Sequence, residues 1–407
     1  MEQASFNVCN HETFHCTNYF IERMMTHPCR TSTIDAQTRA VAVLHTLPRV
    51  ATGNQDTVDQ ESHQFFNWTL ALLRKMPREV REHEHLYMFA GGEAFLMGQY
   101  DFDSAFPSHA TVFIPEPLWA QQHPYGQEPA VPQTFDACYL YRPSARYVSV
   151  PYYQPSNDTM KDYVRDSSRD ERPHRVFYYG GTHGQATLLR RRLYELCDAL
   201  GDSQDDTATW YCPRDLTAPT GGSLHGVQPL TEEQYVQAMG LSTFSLIPAG
   251  DTPGRITTWD CLRRGCVPVL FSSCPTTHSL WSHAGFLPAD DGNGFGVRKW
   301  AVLLNQTAVM TNSTYLSAEL NAISDAQLRE MRAAVRPYLS RMRYDLAVSD
   351  DDALAHTVKH MLYRWRGAPS GHSGFPQTFS TVCLDCAPPF LRLTDPDELT
   401  QMSEAIA

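Results

Sequence analysis

Asp251, Thr252, Arg255 and Asp260 stand close together in the chain, behind Pro248 and Gly250. Two carboxylates, a hydroxyl and a guanidinium at this spacing suit a small ligand that is both hydroxylated and anionic. A guanidinium forks a phosphate, and a carboxylate accepts several hydroxyl hydrogen bonds. Each residue also has an ordinary duty. Asp251 and Thr252 are helix-capping types, Arg255 is a surface cation by default, and Asp260 is a solvated helix acid by default. A second set lies upstream. Gly180-Gly181 follows the apolar run Val176 to Tyr179, and glycines there let a backbone approach a ligand. Arg190 comes shortly after, inside the basic run Arg190 to Arg192. For moving a proton, the first part of the chain offers His85, beside Leu86-Tyr87-Met88, and Glu116 in Ile114-Pro115-Glu116-Pro117.

The elements that must position these residues can be read around them. Thr243 to Ile247 is an apolar strand ended by Pro248, and residues 249–254 are dense in turn formers. A helix from about Arg255 to Arg264 is expected, stopped by Gly265, with Val267 to Phe271 as a strand buried on both faces. Two parallel strands joined by a helix form half of a nucleotide-binding unit. The loop before the helix lies at the carboxyl end of a strand, where open α/β sheets take ligands, and amide groups at the helix start suit a phosphate. Three further helices are expected. Residues 186–200 carry Leu189, Leu193, Leu196 and Leu200 on one face. Ser324 and Gln327 form a capping box opening a helix through Leu328, Met331, Val335, Leu339 and Met342. From Ser349 a third presents Leu354, Val358, Leu362 and Trp365. These stripes are core faces.

Composition narrows the function classes. The 407 residues carry 42% hydrophobic side chains and a formal charge of −12, which excludes the basic footprint of a nucleic-acid-binding surface. An anionic ligand must therefore be held by local groups. No apolar run is long enough to cross a bilayer, and the residues after Met1 are polar. Asn-x-Ser/Thr acceptors occur at Asn67, Asn157, Asn305 and Asn312, and the eleven Cys are compatible with disulfides. Cys383-Leu384-Asp385-Cys386 lacks the second pair that a zinc site needs. Asp101-Phe102-Asp103 sits among loop formers, so no metal ligand set is assigned.

The ordered motifs carry a resemblance. Pro248, Gly250, Asp251, Thr252, Asp260 and Gly265-Cys266-Val267-Pro268-Val269 resemble the donor segment of exostosin-like glycosyltransferases, glycosyltransferase family 47. Members often have an Arg three residues before the acid. This chain has Thr257 there and Arg255 five before Asp260, a placement more similar to the xyloglucan galactosyltransferase branch. Arg30-Thr31 with Ala40 to Val43, His85 to Met88, Val148 to Tyr152, Phe177 to Gly181, Leu189-Arg190 and Cys197 follow in the family's order, so the likeness spans roughly residues 16–365.

The resemblance implies a GT-B α/β fold, two Rossmann-like domains with parallel sheets facing a cleft. Its divisions would be 1–165 on the acceptor side, 166–345 for the donor, and 346–407 as a helix packing back and an extended tail. It implies transfer of a sugar, galactose by the branch, from a UDP-sugar to an oligosaccharide or polysaccharide acceptor, inverting and metal-independent, with no cofactor beyond the donor. Gly180, Gly181, Arg190, Gly250, Asp251, Thr252, Arg255 and Asp260 would form the donor site, with His85 or Glu116 as the base. It implies a Golgi-lumen domain on a membrane anchor absent from this sequence. The alternatives are another sugar (arabinose, xylose, glucuronic acid) or a non-catalytic, lectin-like or scaffolding relative of the same fold.

Overall fold

The structure, a computed structural model, describes residues 41–44, 78, 82, 86–89, 109–114, 147–151, 172–181, 187–201, 210–213, 230–248, 256–272, 286–288, 296–343, 352–358 and 390–391. The chain divides into two units. One comprises Met1–Gln127, Arg142–Pro155 and Arg343–Ala407; the other comprises Glu128–Tyr141 and Ser156–Met342.

In the first unit, short apolar runs become strands Val41–Leu44 (β1), Leu86–Phe89 (β2), Thr111–Ile114 (β3) and Tyr147–Ser149 (β4). They pair in chain order, all parallel, and Phe390–Leu391 near the end of the chain adds a parallel strand beside β1. Residues 353–358 are helical, with Leu354 and Val358 buried as the apolar stripe requires. The helix starts later than Ser349 because Asp352 caps it, accepting from the Ala355 N–H at 2.8 Å.

The second unit alternates strand and helix: His174–Phe177 (β5), Thr187–Gly201 (α1), Trp210–Tyr211 (β6), Glu232–Gly240 (α2), Ser242–Ile247 (β7), Ile256–Arg263 (α3), Val267–Ser272 (β8) and Val302–Asn305 (β9). Such alternation makes a parallel sheet with helices on its faces. Its order is β6-β5-β7-β8-β9, parallel throughout. Every residue of β7 is buried, Ser242, Thr243 and Ser245 along with Phe244, Leu246 and Ile247, as expected of a strand covered on both faces. The core joins Val176, Phe244, Leu246, Val267 and Val269 of the sheet to Leu189, Leu193 and Leu196 of α1. Gln306–Thr311 (α4), Tyr315–Asn321 (α5) and Asp325–Val335 (α6) follow.

Helix ends are set by local chemistry. Gly265 takes φ 65°, its N–H donates to Leu262 at 3.0 Å, and the Cys266 N–H donates to Cys261 at 3.1 Å. This paired closure is the Schellman arrangement, and the positive φ is why glycine stands there. Ser324 and Gln327 form the expected reciprocal cap of α6. The α-helix does not run on to Met342. It ends at Val335 and continues as 3-10 turns Arg336–Tyr338 and Ser340–Met342, because Pro337 has no N–H to give the carbonyl four residues back. A disulfide, Cys197–Cys212, ties α1 to the residue after β6, with Cα atoms 6.2 Å apart.

Candidate functional site

The order β6-β5-β7 places a topological switch point in the second unit. From β5 the chain crosses to one side to form β6, then returns to the other side to form β7. Loops leaving the carboxyl ends of strands that diverge in this way open a crevice, the place where open α/β sheets bind ligands. The register makes the position concrete. Phe177 pairs with Ser245, so three residues further on Gly180 lies level with Pro248. The two loops singled out in the sequence therefore leave neighbouring strands at the same height. Gly250, Asp251, Thr252 and Arg255 belong to the second loop and lie outside the described residues, as do His85 and Glu116.

The first loop is held by α1. The Tyr194 hydroxyl accepts from the Gly180 N–H at 3.2 Å and donates to the Gly180 carbonyl at 3.0 Å. Arg190, buried one turn earlier, donates to the Gly181 carbonyl at 2.9 Å. Arg190, expected as a ligand contact, thus has a backbone carbonyl of the loop as a partner. A Cβ at Gly180 would meet nothing closer than the Tyr178 ring and hydroxyl, at 3.7 Å. Protein packing does not demand glycine there.

Asp260 lies on α3 and is 6% exposed. Its carboxylate accepts a short hydrogen bond from the Arg263 guanidinium, and Arg264 Nη1 lies 3.7 Å from the same oxygen. Arg264 also donates to the Asp260 backbone carbonyl at 3.2 Å. Both arginines are as buried as the acid. Burial pulls the Arg264 guanidinium below its ordinary range, and the Asp260 charge opposes that shift. Arg172 completes the framework, donating to the carbonyls of Gly240, Ser242 and Arg264 at 2.9, 2.8 and 3.0 Å. It fastens the ends of α2 and α3 to the start of β7. Next to Asp260, burial and a hydrogen bond with the Cys266 thiol push the Cys261 thiol well up, so it stays protonated and packs as a small apolar group.

The profile of the exostosin GT47 domain matches residues 114–316. This stretch of the chain is an exostosin GT47 domain. The match runs from the end of β3 into α5, so it takes in every strand of the second sheet, the switch point and Asp260. A relative, the probable xyloglucan galactosyltransferase GT17 of Arabidopsis thaliana, is 26% identical over 198 residues, 48% of this chain and 36% of that protein. The chain thus spans about a third of the length of this relative. Among solved structures, WaaG, a glycosyltransferase involved in lipopolysaccharide biosynthesis, aligns at TM-score 0.33 with 12% identity, over 73% of this chain and 82% of that one. Staphylococcus aureus MnaA with UDP aligns at 0.35 and 12%, over 75% and 82%. Each unit carries its own five-stranded, all-parallel sheet, the Rossmann-like form.

Within the exostosin GT47 domain, the described residues bring Gly180, Gly181 and Arg190 together beyond the carboxyl end of β5, and set Asp260 in an ion pair on α3. Sequence reading missed Tyr194, Arg172, Arg263 and Arg264. The last two were legible, since they stand three and four residues after Asp260, the spacing of neighbours on a helix. Tyr194 stands four after Arg190 for the same reason, but inside an apolar stripe that reads as core.

Proposed function

We propose that the chain is an inverting glycosyltransferase that moves a sugar from a UDP-sugar to an oligosaccharide or polysaccharide acceptor. The observation that carries this reading is the strand register that sets Gly180 level with Pro248 at the β5/β7 switch point, inside an exostosin GT47 domain. The nucleotide would lie across that crevice, its diphosphate against loop amides and Arg255. Galactose is favoured as the donor sugar by the Arabidopsis relative's description.

In the proposed reaction the acceptor oxygen attacks the anomeric carbon as the bond from that carbon to the diphosphate oxygen breaks. The hydroxyl proton passes to a base, for which His85 and Glu116 are proposed, and UDP leaves with the electron pair. Amides and cations offset the charge growing on the diphosphate, with no divalent ion required. Localisation in the Golgi lumen is supported by the Cys197–Cys212 disulfide, which persists in oxidising compartments. Among the described residues no helix is long and apolar enough to cross a membrane.

The test is transfer and donor hydrolysis across a panel of UDP-sugars, with and without EDTA, and with product stereochemistry by NMR. Turnover of one UDP-sugar, unaffected by chelation and with inversion, is expected. Retention refutes the single displacement, a manganese-restored loss refutes metal independence, and UDP binding without turnover favours the lectin-like alternative.

A further inference from the structure

We propose that Tyr194, with Arg190, is a positioning residue that turns the Gly181 N–H toward the β7 side of the switch point, where it meets a diphosphate oxygen. The proposal rests on the donor-site reading above and names how that site is built. In a parallel strand the N–H and C=O of one residue point to the same side, and successive residues alternate. The Tyr178 N–H points to β6, donating to the Tyr211 carbonyl at 3.1 Å. Two residues on, Gly180 must present its N–H and C=O to that same side. The two-residue strand β6 has ended there, and both groups are met by the single Tyr194 hydroxyl. One oxygen reaching both groups requires the extended geometry that the alternation assumes.

The described peptide bonds are all trans, so the Gly181 N–H opposes the Gly180 carbonyl across one peptide plane. With that carbonyl fixed on Tyr194, the N–H is fixed toward β7, level with the loop after Pro248. Arg190 holds the next peptide by its carbonyl. The hydroxyl is itself held, because the Tyr194 ring is buried against Tyr178 with centroids 4.6 Å apart. The amide is therefore oriented before a ligand arrives, and its alignment costs nothing on binding.

Calorimetry of the full chain with UDP and with uridine tests this, alongside thermal melting. Tyr194→Phe keeps the packed ring and removes only the hydroxyl. The expected result is a fall in UDP affinity of about five- to tenfold, the worth of about one hydrogen bond, with uridine affinity unchanged. Arg190→Met is expected to act in the same direction, and it stands in if Tyr194→Phe does not fold. UDP affinity equal to that of the unsubstituted chain overturns the proposal. So does a parallel loss of UDP and uridine tracking the fraction unfolded, which a purely structural tyrosine would give. If the unsubstituted chain binds UDP no better than uridine, the donor-site reading itself fails, and that failure appears without any substitution.

Discussion

Replacing Asp260 by Ala separates two duties of one carboxylate, and the structure fixes the size of the first. The side chains of Arg263 and Arg264 are 6% and 2% exposed, so neither can be rehydrated without opening the end of α3. Among the described residues Asp260 is an acid that faces both, and removing it takes its charge from two adjacent buried cations that also repel each other. Removing one partner of such a buried group costs about 3–5 kcal/mol, most of it the penalty for the uncompensated charge. A domain of this size loses about 2–4 °C of melting temperature per kcal/mol, so a fall of roughly 6–20 °C is expected. Asp260→Asn keeps an acceptor for Arg263 but not the charge, and should fall between the two. Thermal and urea denaturation followed by circular dichroism measure this. A melting point for Asp260→Ala within about 2 °C of the native one would refute the reasoning, since it would show both guanidinium groups neutralised or solvated by other means. The result also governs how ligand binding is read. Loss of UDP binding in Asp260→Ala alone does not identify a donor contact. A further loss of about 1–3 kcal/mol in Asp260→Asn, measured where that variant is fully folded, does.

Three other outcomes are expected. Cys197→Ser should lower stability by about 3 kcal/mol, as expected for a loop of this length, and should change mobility on non-reducing gels; unchanged stability would mean the bridge does not constrain the unfolded chain. His174 stacks on Tyr211 with centroids 5.0 Å apart, and burial holds its imidazole below the ordinary value of 6.5; the unfolded state therefore takes up a proton first as pH falls, so stability is fullest above about 6.5 and declines below it, and His174→Asn should flatten that decline relative to the unsubstituted chain. Asn305 and Asn312 are exposed, so the chain directed into the secretory pathway of a host cell should shift on endoglycosidase treatment, with Thr307→Ala removing one step while sparing the Asn305 cap on Ala308; no shift at all would count against the proposed lumenal location.

The segment from β7 to β8 was readable because each boundary has a cause within a few residues: a proline after the first strand, a positive-φ glycine after the helix, and apolar runs that only double burial explains. The helix through Val335 was readable for the same reason, and its continuation was misjudged where apolar spacing persisted past Pro337. Helix α2 shows its own capping box, Thr231 with Gln234, and went unplaced because its apolar face is short. Strand order is a different kind of fact. Nothing local to β5 says that β6 lies on one side of it and β7 on the other, yet that order brings the Gly180-Gly181 loop level with Pro248.

Site residues follow the same division. Residue type announced the chemistry of Asp260 and Arg190, but not what they touch. Each has at least one partner inside its own unit: Asp260 in the buried arginine pair, Arg190 in a backbone carbonyl. A charged side chain that is buried must be compensated, and in a loop-built site part of that compensation shapes the loop. Glycine backbone is the cheapest surface to bring against a diphosphate, and it has no side chain to fix its own direction. The direction must then come from elsewhere, and in this domain it comes from a hydroxyl and a guanidinium one helical turn apart on α1. Tyr194 is invisible to a search for ligand-contacting residue types, because its side chain does not need to reach the ligand. It becomes visible only when the backbone groups at the end of β5 are followed to their partners.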